Sequence, residues 1–225
     1  MTELRQKLIA TARRMVAAGL NTGTAGNLSV RVQGPEENAS GFLITPSGMD
    51  YGLLQPEDIV FMRLDGTHGG QRQPSSEWRF HRDLYAARPE ANAVLHAHSP
   101  FATSIACLRR DIPPFHYMIA RFGGDTLRCA AYATFGTQAL SDAALAAMRG
   151  RRACLLANHG MLVFGHDLEQ ALALGDELET LCQQYWRACT IGSPVLLDAD
   201  EMATVLEKFA SYGQQNISAT TNFRS

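Results

Sequence analysis

Apolar residues at the start of the chain recur with helical spacing. Leu4, Leu8, Ala12, Met15 and Val16 share one face of TELRQKLIATARRMVA. Thr2 is placed to cap that helix, and Gly19 stands where a left-handed residue ends one. The period then shortens. LSVRV alternates like a strand, and Phe42 to Thr45 and Ile59 to Leu64 read as further strands, separated by Pro46-Ser47-Gly48 and Asp65-Gly66. A helix is expected from Ser75-Ser76 to about Arg88, stopped by Pro89. Ala93 to His98 is a short apolar strand, and Pro100 opens another helix. Thr137 to Met148 reads as helix. Ala153 to Ala157 and Met161 to Phe164 flank an Asn-His-Gly turn. Asp167 with Gln170, and Asp198 with Glu201, mark the starts of two last helices. Strands interleaved with helices indicate an α/β layer fold. The pattern makes residues 1–213 a single domain and 214–225 a polar tail.

Composition narrows the classes of partner. With 20 Lys+Arg against 22 Asp+Glu, the chain has no dense basic run to follow a phosphate backbone, so nucleic acid is not an expected partner. No run of apolar residues is long enough to span a bilayer, so no membrane partner is expected either. The five cysteines form no C-x-x-C pair and are odd in number, which points to a reducing, cytoplasmic setting.

Histidine carries the first chemical signal. In AVLHAHSP, His96 and His98 stand two apart on an expected strand, so both rings leave the same face. His159 ends a second apolar run directly before Gly160, and Glu77 opens the helix of PSSEWRFH. Three imidazoles and a carboxylate make a zinc-type donor set, although spacing alone does not bring them together. His81 is four residues beyond Glu77 and reads as a packed or supporting side chain. His68 and His166 read as solvated, and His116 stays open between packing and function.

Hydroxyls and glycines carry the second signal, in TGTAGN (residues 22–27), TPSG (residues 45–48) and Ser75-Ser76. Bare backbone N–H groups and hydroxyls of this kind suit an anion. No Walker-type or dinucleotide-type glycine motif is present.

Taken in order, GTAGN, ITPSG, PSSEWRFH, ANAVLHAHS, IPPFHYMIA, YATFGT, LLANHG and VLEKFASYG resemble the class II aldolase/adducin family, nearest its L-fuculose-1-phosphate aldolase branch. The likeness runs from about residue 5 to residue 213. It implies a three-layer α/β/α sandwich around a large, mostly antiparallel sheet, and a homotetramer with active sites between subunits. It also implies Zn2+, with Mn2+ as an alternative, held by Glu77, His96, His98 and His159. Glu77 doubles as the base, and Tyr117 from a neighbouring subunit is the acid at the aldehyde oxygen. Thr24, Gly26, Asn27, Ser47, Gly48, Ser75 and Ser76 resemble the phosphate cradle, and Phe135 and Tyr212 the aldehyde side. The implied reaction is reversible cleavage of a ketose 1-phosphate to dihydroxyacetone phosphate and a small aldehyde. Relatives in the family include methylthioribulose-1-phosphate dehydratases, pentulose 5-phosphate 4-epimerases with Asp in place of Glu77, sugar-acid decarboxylases with Ser-Lys-Glu in place of Ser75-Ser76-Glu77, and the non-catalytic adducin head. Arg121 stands where the family pattern has a small residue, so an altered aldehyde pocket is expected.

Overall fold

The computed structural model describes residues 1–34 and 40–211, the side chains of 210 and 211 excepted. The expected tail, residues 214–225, and Tyr212 lie outside the described residues. Eight described strands form one sheet. They are β1 (Asn27–Val32), β2 (Gly41–Ile44), β3 (Val60–Met62), β4 (His68–Gly69), β5 (Ala93–Ala97), β6 (Cys129–Ala130), β7 (Ala153–Leu156) and β8 (Gly160–Gly165). Their order is β4-β3-β2-β1-β5-β8-β7-β6. Only β6 and β7 pair in parallel; the other neighbours are antiparallel.

Six described α-helices cover the two faces: α1 (Thr2–Ala17), α2 (Trp78–Ala87), α3 (Pro100–Ala106), α4 (Gln138–Ala147), α5 (Leu168–Ile191) and α6 (Ala199–Ser211). Strand alternation sorts the core into two layers. Leu28, Val30, Leu43, Leu95 and Val163 pack with residues of α1, α3, α5 and α6. Phe42, Ile44, Val94, Leu162 and Phe164 pack with residues of α2 and α4. Full burial of a side chain such as Leu95 contributes about 2 kcal/mol. The result is the expected α/β/α sandwich with a mostly antiparallel sheet.

The expected caps hold, with two corrections. Asp167 accepts the Gln170 N–H at 2.7 Å and Asp198 accepts the Glu201 N–H at 2.8 Å. Gly19 is left-handed, with φ 75°. Thr2, however, is already helical and caps nothing; Met1 holds the cap position. The helix expected from Ser75-Ser76 starts only at Trp78. Its first residues are drawn aside because the Ser75 N–H donates to the Thr45 carbonyl at 3.1 Å, and Pro74 bridges to Pro46. That tie brings Ser75 and Ser76 beside the 45–48 loop. No described helix is long and apolar enough to cross a membrane.

Candidate metal centre and active site

Three elements, β5, β8 and α2, meet where the middle of the sheet ends. β5 carries His96 on its α2 side, and His98 lies one residue past the strand. Its antiparallel neighbour β8 begins after the turn that holds His159, and Glu77 occupies the cap position of α2. Gly160 lets the two strands close up here: a Cβ would lie 2.4 Å from the Ala97 carbonyl and 3.1 Å from the His98 ring. Asn158 makes the preceding turn with φ 53°, a conformation Asn tolerates better than most residues.

The four side chains converge. One ligand atom from each of Glu77, His96, His98 and His159 lies within 4.8 Å of all the others. His96 Nε2 is 3.0 Å from His98 Nε2 and 3.2 Å from Glu77 Oε2, and His159 Nε2 is 3.1 Å from Glu77 Oε1. His96 Nδ1 faces the Met161 carbonyl at 2.9 Å, so it carries the proton and leaves the Nε2 lone pair turned inward. Burial, then the neighbouring His96 and His159, push the His98 imidazole down to about 4, against the pull of Glu77. Burial by itself would raise the Glu77 carboxyl. His96 and His159 outweigh it and hold Glu77 well below the usual carboxylate range. Lone pairs crowded this closely repel unless a positive charge joins them, and Glu77 Oε1 has no hydrogen-bond partner. Three imidazoles and one carboxylate therefore fit a divalent metal of the zinc type.

A cavity of about 300 Å³ opens from this cluster. Thr24, Gly26, Asn27, Ser47, Gly48, Ser75, Ser76 and Phe135 all line it, as does Glu77. Gly26, with φ 78°, comes so near Asn21 that a Cβ would overlap its amide. The lining contains no Lys or Arg among the described residues. Among the polar groups it offers are N–H and O–H groups of the kind that suit an anion. Asn27 differs from the rest of this lining. Its amide nitrogen donates to Glu77 Oε2 at 2.9 Å, and its carbonyl faces His81.

Other expected residues stand elsewhere. Tyr117, half exposed, stacks between His116 and Phe209 and lines a separate apolar cavity with Leu197 and Val205. Arg121 is not on the metal cavity; it pairs with Glu177 at 2.8 Å. His68 and His166 are exposed, and His81 is fully buried outside the metal cluster. Tyr132, Ala133 and Asn158 line the cavity without having been singled out from the sequence. The YATFGT motif held two of them, but its spacing does not show which side chains face inward.

An open, mostly antiparallel sheet with a three-histidine, one-carboxylate cluster beside a hydroxyl-rich cavity fits the class of metal-dependent enzymes. A family model described as Class II Aldolase and Adducin N-terminal domain matches residues 6–186, and the chain belongs to that family. A 5-methylthioribulose-1-phosphate/5-deoxyribulose-1-phosphate aldolase of Rhodospirillum rubrum is 55% identical over 210 residues, or 93% of this chain and 92% of that protein. The L-fuculose phosphate aldolase of Escherichia coli is 46% identical over 212 residues, or 94% of this chain and 96% of that protein. The solved structure of an L-fuculose 1-phosphate aldolase matches with TM-score 0.88 at 41% identity, covering 93% of this chain and 97% of that one. The chain is thus an enzyme of the lyase class, a class II aldolase of the fuculose-phosphate and methylthioribulose-phosphate type.

Proposed function

We propose that this aldolase uses zinc to cleave a ketose 1-phosphate reversibly into dihydroxyacetone phosphate and a small aldehyde with an apolar end. The observation that carries the reading is the convergence of Glu77, His96, His98 and His159 beside a cavity whose lining includes the hydroxyls of Thr24, Ser47, Ser75 and Ser76. The apolar end is supported by Phe135 and Tyr132, two exposed aromatic side chains on the same lining.

In cleavage, the C4 hydroxyl loses its proton, the C3–C4 bond breaks, and the electron pair stays with C3 beside the C2 carbonyl. His96, His98 and His159 would hold a divalent ion, with Glu77 as the ligand that substrate displaces, and the ion would supply a Lewis acid for the charge developing on oxygen. The hydroxyls and N–H groups of Thr24, Gly26, Ser47, Gly48, Ser75 and Ser76 hold the phosphoryl group away from the breaking bond and restrict the substrate's freedom. Glu77 Oε1, the carboxylate oxygen with open lone pairs, moves the proton at C3. Tyr117 handles the proton of the C4 oxygen. Within one chain it lines a different cavity, so the reading takes it from a neighbouring copy, in a homotetramer.

The test is an assay for released dihydroxyacetone phosphate from 5-methylthioribulose 1-phosphate, 5-deoxyribulose 1-phosphate and L-fuculose 1-phosphate. Each is run before and after chelation, then with Zn2+ or Mn2+ restored. Cleavage that disappears on chelation and returns best with Zn2+ is expected. Full turnover by the metal-stripped chain, or no cleavage of any of the three, would overturn the reading.

A further inference from the structure

A line of buried polar groups runs from Glu77 into the layer between the sheet and α2. Ser29 lies on β1, and His81 and Tyr85 lie on successive turns of α2; all three are buried, with Ser29 and His81 at 0% exposure. The contacts are Tyr85 Oη to Ser29 Oγ at 2.7 Å, Ser29 Oγ to His81 Nδ1 at 2.7 Å, His81 Nε2 to Asn27 Oδ1 at 2.5 Å, and Asn27 Nδ2 to Glu77 Oε2 at 2.9 Å. The direction of every donor follows from the last contact. An ionised carboxylate only accepts, so the Asn27 NH2 must face Glu77 and its carbonyl must face His81. That carbonyl in turn only accepts, so His81 carries its proton on Nε2. His81 Nδ1 then accepts from the Ser29 hydroxyl, which accepts from Tyr85. Burial, and then His96, push the His81 imidazole down to about 3, in keeping with a neutral ring that has one donor and one acceptor nitrogen.

We propose that His81 is a positioning residue for the aldolase reaction. Its Nε2–H locks the Asn27 amide so that the NH2 occupies Glu77 Oε2 and leaves Oε1 as the oxygen that exchanges a proton. Asn27, placed by resemblance in the phosphate cradle, acts here chiefly on the base. Without the lock the amide can turn over and present its carbonyl to the carboxylate, which repels it. The Glu77 carboxylate then loses its fixed orientation. Phosphate binding does not depend on the relay, because Ser47, Ser76 and Thr24 take no part in it.

The inference rests on the aldolase reading for its kinetic test but not for its structural one. In 15N-histidine NMR spectra of the wild-type chain, His81 should show the neutral Nε2–H tautomer, and Asn27→Ala should disturb that signal. The Nδ1–H tautomer would overturn the relay, whatever the enzyme's substrate proves to be. Kinetically, His81→Leu should lower kcat by about 10–100-fold, the usual effect of removing a supporting hydrogen bond, with KM and metal content near wild type. His81→Gln, which keeps an N–H donor toward Asn27, should recover most of kcat. A rise confined to KM, or equal losses in the Leu and Gln variants, would overturn the positioning role. Should His81→Leu fail to fold, the wild-type tautomer and the Gln variant still decide the matter.

Discussion

At the scale of single residues, Glu77 carries the most chemistry. It is 7% exposed, has one oxygen held by Asn27, and sits beside His96 and His159, which hold its carboxyl well below the usual range against the effect of burial. Replacing it with Gln removes the basic oxygen and keeps the shape. Glu77→Gln should lower cleavage by about 10²–10⁴-fold, the range for loss of a general base. The three histidines remain, so metal should stay partly bound. Release of dihydroxyacetone phosphate and metal content on the same sample check both halves. Unchanged turnover would remove Glu77 from the mechanism. His96, His98 and His159 were legible as candidates because strand period two puts the first two together and Gly160 marks the rim, and Glu77 because it opens a helix; that the four converge was not. The roles of Ser29 and Tyr85 were not legible. A serine within an alternating strand has no signature that tells which layer it faces, and only the packing of α2 supplies its partner.

At the scale of elements, the site depends on how α3 and α2 are held. The N-terminus of α3, two residues after His98, is capped from another helix. Glu179 of α5 accepts the Ser99 hydroxyl at 2.6 Å and the Phe101 and Ala102 N–H groups at 2.8 Å each. Truncating it leaves those donors without a partner. Glu179→Ala should cost about 2 kcal/mol in denaturant unfolding and weaken metal binding through a looser His98. Stability equal to wild type would show that the cap is dispensable. The α2 layer predicts a pH effect. His81 and His98 have ordinary values of 6.5 when unfolded but are pushed to about 3 and about 4 in the fold. As pH falls below 6.5, the unfolded chain takes up protons first, so stability drops with pH until these folded values are reached. The urea midpoint of metal-stripped protein should therefore be lower at about pH 5 than at about pH 7. Equal midpoints would mean that these rings are not held neutral. Element boundaries were legible where caps are local, as at Asp167 and Asp198. The start of α2 was not, because Ser75 is held by Thr45, thirty positions earlier in the chain, and no local pattern records that tie.

At the scale of the molecule, one chain brings the four candidate metal ligands to a hydroxyl-rich cavity but keeps Tyr117 in another cavity that shares no lining residue with it. Periodicity gave the layers, whereas the strand order came only with the structure, and any relation between copies is implied by the family resemblance alone. If a neighbour provides the acid, each site combines Glu77 from one chain with Tyr117 from another, and the two defects can complement. Tyr117→Phe and Glu77→Gln chains, each weakly active alone, are mixed in equal amounts, unfolded and reassembled together. Random pairing then gives roughly one site in four with both native groups, and activity near a quarter of wild type is expected. If a site drew both groups from the same chain, no mixture could assemble a native one. The activity would stay at the mean of the two variants, and the shared site would be ruled out.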